Sequence, residues 1–375
     1  MDFEFNSDQE LIQKTFRDFV EQAVIPQAEA IDQRKEFPME LFKKVADLGF
    51  FGMRYPEDAG GVGADTISYC LATIELAKGS LSLAAACTMQ SLMATYFLYH
   101  FGDDDLKPYF DKALKGEKIG TICMTEPDAG SDLNSIRTMA NVLDDGFVLS
   151  GQKIWVTSAP VADFLTVFAK TDNHEKISIF FVPTNLEGVT IGKNIDKLGV
   201  RGSVTSEVSF DRVRLPGNYL LGEIGEGTTC LREILAEIRI MTAALSVGVA
   251  TAALEEAVKY AKTRVQFGRP IGKFQAIRTK CAEMSVQLET ARHYLFYAAS
   301  LTDRDLPRQK ESMIAKLYAS ECANSICDVA SRIFASYGYA TEYPLQRYLR
   351  DARFLLIGGG TSEILSINIG KEMGL

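Results

Sequence analysis

The feature that most constrains the fold is the order in which the chain changes texture. Over 375 residues it passes from helical periodicity to short β-branched runs and back again. Residues 1–118 read as helices. "NSDQELIQKTFRDFVEQAVIP" opens with Ser7 and carries Glu10 three residues on, which predicts a capping box. Phe16, Phe19 and Val20 then share one helical face, and Pro26 lies just beyond. "FPMELFKKVADLGFFGMRYPEDAGG" repeats that grammar with Gly49 and a Pro/Gly-rich turn. From 119 to 225, "GFVLSGQKIWVTSA", "DFLTVFAKTD", "KISIFFVP", "VTIGKNI" and "SEVSFDRVRLP" are short, β-branched and aromatic, with turn residues between them. That pattern predicts an antiparallel sheet or small barrel. From 226 to 375 long helical patterns return. The expected class is α+β, with a helical, then a β, then a helical domain. No G-x-G-x-x-G follows a strand, so a dinucleotide would be held without a Rossmann unit.

Composition narrows the function. A net charge of −9 argues against nucleic acid as a partner, because phosphate binding needs a basic face. "MDFEFNSDQE" has neither an apolar nor an arginine-rich leader pattern, so a cytoplasmic location is expected. The apolar run "IMTAALSVGVATAAL" is shorter than the roughly 20 residues that span a bilayer and reads as a core helix; no membrane insertion is expected. The seven cysteines stand singly and read as free thiols. His100, His174 and His293 are scattered, and no metal is expected.

Two stretches in the β block carry chemistry. In "CMTEPDAGSDLNS" the small residues and hydroxyls of Thr125, Gly130 and Ser131 let donors approach a polar ring or phosphate, although a plain turn-rich connection would look the same. "GQKIWVTSA" holds the only tryptophan, Trp155, followed by Thr157. An aromatic plane beside a hydroxyl suits a flat heterocycle, or simply the core.

Together these stretches resemble the acyl-CoA dehydrogenase family of flavoproteins, over essentially the whole chain. T-E-P-x-A-G-S-D is the most specific piece. It is supported by "WVT", "LGVRGS", Arg264-x-x-Phe267-Gly268 with Phe274-Gln275, "YGYATEYPLQRYLRDAR" and "GGGTSEI". The resemblance implies a C-terminal four-helix bundle, FAD between that bundle and the β domain, and a homotetramer built as a pair of dimers. It implies an acyl-CoA or acyl-carrier-protein thioester as substrate and electron-transfer flavoprotein as acceptor. Ile122, Met124, Thr125, Gly130 and Ser131 would approach the flavin or the thioester end, and Trp155 and Thr157 would flank the isoalloxazine. Arg264, Phe267 and Gln275 would reach the adenine–pyrophosphate part of a neighbouring subunit's FAD, where a guanidinium fork matches a pyrophosphate. Thr361 and Ser362 would touch the cofactor near its diphosphate. Ala335 and Ser336 replace the family's usual glycines and are small enough to keep that approach. "LAAACTMQSLMATY" would line the acyl pocket with Thr88, Gln90 and Ser91, beside Ser131, Arg239 and Gly360. Ala84 stands where members that handle a distal carboxylate have arginine, which disfavours a glutaryl chain.

One expected residue is missing. The family's reaction removes an α-proton with a carboxylate base while the β-hydrogen leaves as hydride to the flavin. Alignment on Arg350-Asp351-Ala352 and Gly360-Thr361 puts Gly359 at the usual glutamate. Some members carry the base on the first long helix of the C-terminal domain, just before an arginine; here Arg239 follows Ile238, with Glu237 one residue further back. One residue is about 100° of helix rotation, so Glu237 points elsewhere unless the helix distorts. Three readings stay open: an acyl thioester dehydrogenase with a relocated base, Glu237; an enzyme whose reaction needs no base there, such as a 1,4-dehydrogenation or elimination on a cyclic or conjugated acyl-CoA; and a non-enzymatic flavoprotein module.

Overall fold

The computed structural model describes residues 4–171 and 176–375; Asp172, at the end of one predicted strand, and His174 lie outside them. The first helical domain contains α1 Ser7–Phe19, α2 Ala28–Arg34, α3 Met39–Asp47, α4 Thr66–Gly79, α5 Leu81–Thr88, α6 Tyr96–Phe101 and α7 Lys107–Leu114. The capping box of α1 is shifted by one residue from the prediction. The Asn6 side chain accepts from the Asp8 and Gln9 N–H groups, and the Gln9 side chain returns to the Asn6 N–H. An asparagine carbonyl serves as well as a serine hydroxyl at this position, and Gln9 takes the part expected of Glu10.

The β domain follows with β1 Gly120–Cys123, β2 Met139–Leu143, β3 Gly146–Thr157, β4 Phe164–Thr171, β5 Ile177–Pro183, β6 Val189–Ile191 and β7 Thr205–Pro216. The strands are ordered β1-β4-β2-β3-β7-β6, with β5 also on β4. The expectation of antiparallel pairing needs correction at two places: β1 and β2 both run parallel to β4. The long 124–138 connection separates β1 from β2, so β4 inserts between them where a hairpin would have joined them.

The last domain is built on α8 Gly227–Thr263, α9 Gln275–Asp303 and α10 Gln309–Phe334, completed by α11 Leu345–Leu355 and α12 Ser362–Glu372. A two-stranded ribbon, β8 Val265–Gln266 and β9 Arg269–Pro270, joins α8 to α9. Helix α8 packs against α4, α9, α10 and α11, and its middle stretch, 238–253, is buried throughout. By length and composition two stretches, Leu81–Phe101 and α8, could cross a membrane, which the apolar-run reading did not anticipate. Their apolar windows are 94% and 89% buried inside the protein, where they form its core.

The "LGVRGS" loop ties the three domains together. The Val200 N–H donates to Asp351 Oδ1 at 2.6 Å, and Arg350 donates to the Leu198 carbonyl at 3.0 Å. Both terminal nitrogens of Arg350 reach Asp32, at 3.1 and 2.6 Å. The Gly202 N–H donates to Ser82 Oγ at 3.2 Å. A Cβ at Gly199 would lie 2.3 Å from the Arg350 carbonyl oxygen, so only glycine permits the approach.

Candidate active site

Glu126 organises the loop that follows β1. It accepts from the Arg137 and Thr138 N–H groups at 2.6 and 3.0 Å, from the Thr138 hydroxyl at 2.6 Å and from Lys153 Nζ at 2.8 Å. Burial pushes its carboxyl up, but Lys153 and the other donors outweigh that and hold it below the usual carboxylate range. Lys153 also donates to the Met124 carbonyl at 3.0 Å, and the Ile154 N–H to the Thr125 carbonyl at 2.9 Å. Met124 and Thr125 are thereby fixed beside Trp155. The β3–β7 register slips between Lys153 and Val156, and Trp155 takes a φ of +60°. Such a bulge re-aims a side chain: the indole is 56% exposed. The Thr157 carbonyl accepts from Thr121 at 2.5 Å, next to the buried Ile122, while Gly130 and Ser131 lie exposed on the rim.

A second group sits on the C-terminal domain. Arg264 lies 5.5 Å from the centroid of the Tyr337 ring, beside the exposed Ala335 and Ser336, with Ala335 at a φ of +54°. Phe267, 92% exposed, makes an edge contact with Phe274, and the exposed Gln275 opens α9. Thr361 caps α12, accepting from the Ile364 N–H at 3.3 Å, and Ser362 donates to Glu321 at 2.6 Å. Bare aromatic rings, a cation and a small-residue turn fit a dinucleotide that presents flat rings and a diphosphate.

Elsewhere in the same domain, Gly359 lies against α8. A Cβ at Gly359 would stand 2.9 Å from Thr242 Oγ1 and 3.9 Å from Ile238 Cγ2, and the residue has a φ of +72°. Gly359 and Ile238, the two positions that the resemblance assigns to a base, therefore adjoin, and neither carries a carboxylate. Lys316, fully buried, donates to the Gly360 carbonyl at 2.6 Å; burial pushes its ammonium down to about 8. Arg239 is also buried, with Nη1 on Gln309 at 3.3 Å. Glu237 projects from the next face of α8 into an ion pair with Arg54. Thr88 bonds back to the Ala84 and Ala85 carbonyls, so its hydroxyl serves its own helix. Ser91 is buried, its hydroxyl without a hydrogen-bond partner among the described residues.

Sequence reasoning missed Arg54, Thr242 and Lys316. Lys316 carried a signal, a lysine amid the apolar positions of "MIAKLYAS". Arg54 carried none, because its turn "GMRYPEDAGG" reads as solvent-facing.

A helical domain, a β domain and a second helical domain in this order define the acyl-CoA dehydrogenase fold. The chain matches the family's N-terminal domain over residues 6–117, its middle domain over 121–213 and its C-terminal domain over 225–374. It belongs to the acyl-CoA dehydrogenase family, FAD-dependent oxidoreductases that act on CH–CH groups. It is 53% identical to benzylmalonyl-CoA dehydrogenase of Aromatoleum aromaticum, with 100% of both chains covered. It is 39% identical to the 3-(aryl)acrylate reductase of Clostridium sporogenes, covering 98% of this chain and 99% of that one. The solved structure of butyryl-CoA dehydrogenase from Megasphaera elsdenii superposes with a TM-score of 0.97 at 36% identity, over 100% of both chains.

Proposed function

We propose that this chain is an FAD-dependent dehydrogenase of an acyl-CoA that bears a carboxylate on Cα. One observation carries this reading: both family positions for the base, Gly359 and Ile238, adjoin and lack a carboxylate, while Glu237 is engaged by Arg54. An electron pair must still reach Cα before the β-hydride can leave. Loss of CO2 from a malonyl-type thioester delivers it without a base. The bond from Cα to the carboxylate breaks, its electron pair passes to Cα, and that pair becomes the Cα=Cβ bond as the β-hydrogen departs with two electrons. No proton is removed, and the products are CO2 and an α,β-unsaturated thioester. FAD, when bound, supplies the acceptor of that hydride. The name of the benzylmalonyl-CoA relative supports this substrate class.

Met124, Thr125, Trp155 and Thr157, with Ile122, Gly130 and Ser131, would hold the isoalloxazine. Arg264, Phe267 and Gln275 would hold the adenine–pyrophosphate part from a neighbouring subunit of a homotetramer, with Ala335, Ser336, Thr361 and Ser362 nearby. Lys316 fixes the backbone at Gly360, whose N–H would face the thioester oxygen and stabilise its developing charge. Arg239 would lie beside the acyl group. Electron-transfer flavoprotein would take the electrons, in the cytoplasm.

Anaerobic titration tests the proposal. Benzylmalonyl-CoA is expected to bleach the oxidised flavin with release of equimolar CO2, and 3-phenylpropanoyl-CoA to leave it oxidised. Bleaching by 3-phenylpropanoyl-CoA that disappears in Glu237→Gln would instead make Glu237 the base. Bleaching only by a cyclic unsaturated thioester would point to 1,4-dehydrogenation.

A further inference from the structure

Arg54 has more hydrogen-bonding capacity than the protein uses. Its Nη2 meets Glu237, yet among the described residues Nε and Nη1 are buried without a hydrogen-bond partner. The Tyr69 and Ser91 hydroxyls, on residues 3% and 0% exposed, are likewise buried; they lie near each other, and among the described residues neither has a partner at hydrogen-bond distance and angle. These groups come from three elements: the turn after α3, helix α4, and the π-helical stretch Met89–Ala94 that follows α5. They gather in one place. Burial pushes the Tyr69 phenol up, with Ser91 and Arg54 close enough to pull against that shift. Tyr55 and Tyr96 bring their rings to 5.5 Å from the Arg54 guanidinium.

Leaving buried donors unpaired is costly, and native interiors do it rarely. A convergent set of them marks a place for a ligand's acceptor atoms. The spot also adjoins the thioester side. Glu237 and Met241 share the α8 face turned toward Arg54 and α4, where Thr73 Oγ1 lies 3.6 Å from the Met241 sulfur. Ile238 and Thr242, about 100° round the same helix, face Gly359.

We propose that Arg54, with the Tyr69 and Ser91 hydroxyls, binds the carboxylate of the substrate's acyl group, and that Glu237 is the positioning residue that holds Arg54 in place. The inference rests on the carboxylated-acyl reading above. A guanidinium with two free nitrogens and two hydroxyls supplies charge and several donors, which suits a carboxylate and gives nothing to an alkyl chain. The arginine comes from the turn after α3 and not from α5, where Ala84 stands. The surrounding tyrosine rings favour an aryl group beside it.

The test compares two esters that differ only in the carboxylate, benzylmalonyl-CoA and 3-phenylpropanoyl-CoA. Their anaerobic binding to the FAD-loaded enzyme is followed by flavin spectral change, with bound FAD quantified in each variant. The wild type is expected to prefer the carboxylated ester by about 10- to 100-fold, the range of a charge-assisted contact. Arg54→Met should erase that preference and Arg54→Lys should keep part of it. Tyr69→Phe and Ser91→Ala leave the Arg54–Glu237 pair intact and should each lower the preference several-fold, so the test survives if Arg54→Met fails to fold. A preference that persists in Arg54→Met, or a variant that weakens both esters equally, overturns the inference. Carbon dioxide release is read separately. Release from wild type with no role for Arg54 sinks only this inference; an Arg54-dependent preference without release sinks only the decarboxylative reading.

Discussion

Asp32 with Arg350 and Glu237 with Arg54 are both largely buried acid–arginine pairs that join the N-terminal domain to the C-terminal one. Their surroundings differ. Arg350 spends its donors on Asp32, the Leu198 carbonyl and Gln346, and the loop beside it is closed by the Val200–Asp351 hydrogen bond. Arg54 leaves two nitrogens unused, among hydroxyls that are also unused. Arg350 itself has a protein acceptor on every nitrogen, which gives the first arrangement the character of a structural joint, although Arg201 Nε and Gln346 Nε2 beside it are buried without a partner among the described residues. The second is complete only with something added. A buried ion pair by itself says little about its purpose; what its remaining donors face says more.

The contrast can be broken most forcefully at Asp32. Asp32→Ala strands Arg350 in a buried site and should cost about 3–5 kcal/mol in chemical denaturation. A loss under about 1 kcal/mol would deny the joint its role. A slightly smaller effect is expected with pH. Burial pushes the Asp351 carboxyl up to about 6 from 3.8. Between those values the folded chain binds more protons than the unfolded one, so this group's stabilising contribution is full below about 4 and lost as pH rises through 6. Relative to Asp351→Asn, the wild type should lose up to about 3 kcal/mol across that window, measured by denaturation at a series of pH values.

Gly359 sharpens the other half of the comparison. Gly359→Glu meets a positive φ and a hydroxyl at 2.9 Å, and should cost about 1–3 kcal/mol of stability. It should not let 3-phenylpropanoyl-CoA bleach the flavin. If it does, the loop is an ordinary catalytic loop with one side chain deleted. The smallest effect is expected at the incomplete pair. Arg54→Met combined with Glu237→Gln removes both charges at once and should change stability by no more than about 1 kcal/mol, since no charge is left stranded. A loss like that of Asp32→Ala would make the two pairs alike.

Much of this was legible beforehand because it is local. Helical and β textures follow from side-chain periodicity, which belongs to consecutive residues, and they announced the helical, β, helical order. The motif around Thr125 and the tryptophan at 155 stood out in the sequence, but the bulge that turns Trp155 outward depends on its slip against β7. The glycine at 359 was visible as well. The capping residue of α1 was misplaced by one because asparagine and serine serve that position equally. The parallel pairings of β4 escaped notice because strand order is set by long connections and not by the strands themselves.

What the chain alone determined, then, is its domain class, its cofactor family and a glycine at position 359. Only the tertiary structure decided what stands around that glycine. Arg54 and Glu237 are 183 residues apart, and Lys316 reaches Gly360 from another helix. Periodicity can place a residue on a face, but which faces meet, and which buried donors are left without a partner, is settled by packing between elements distant in sequence.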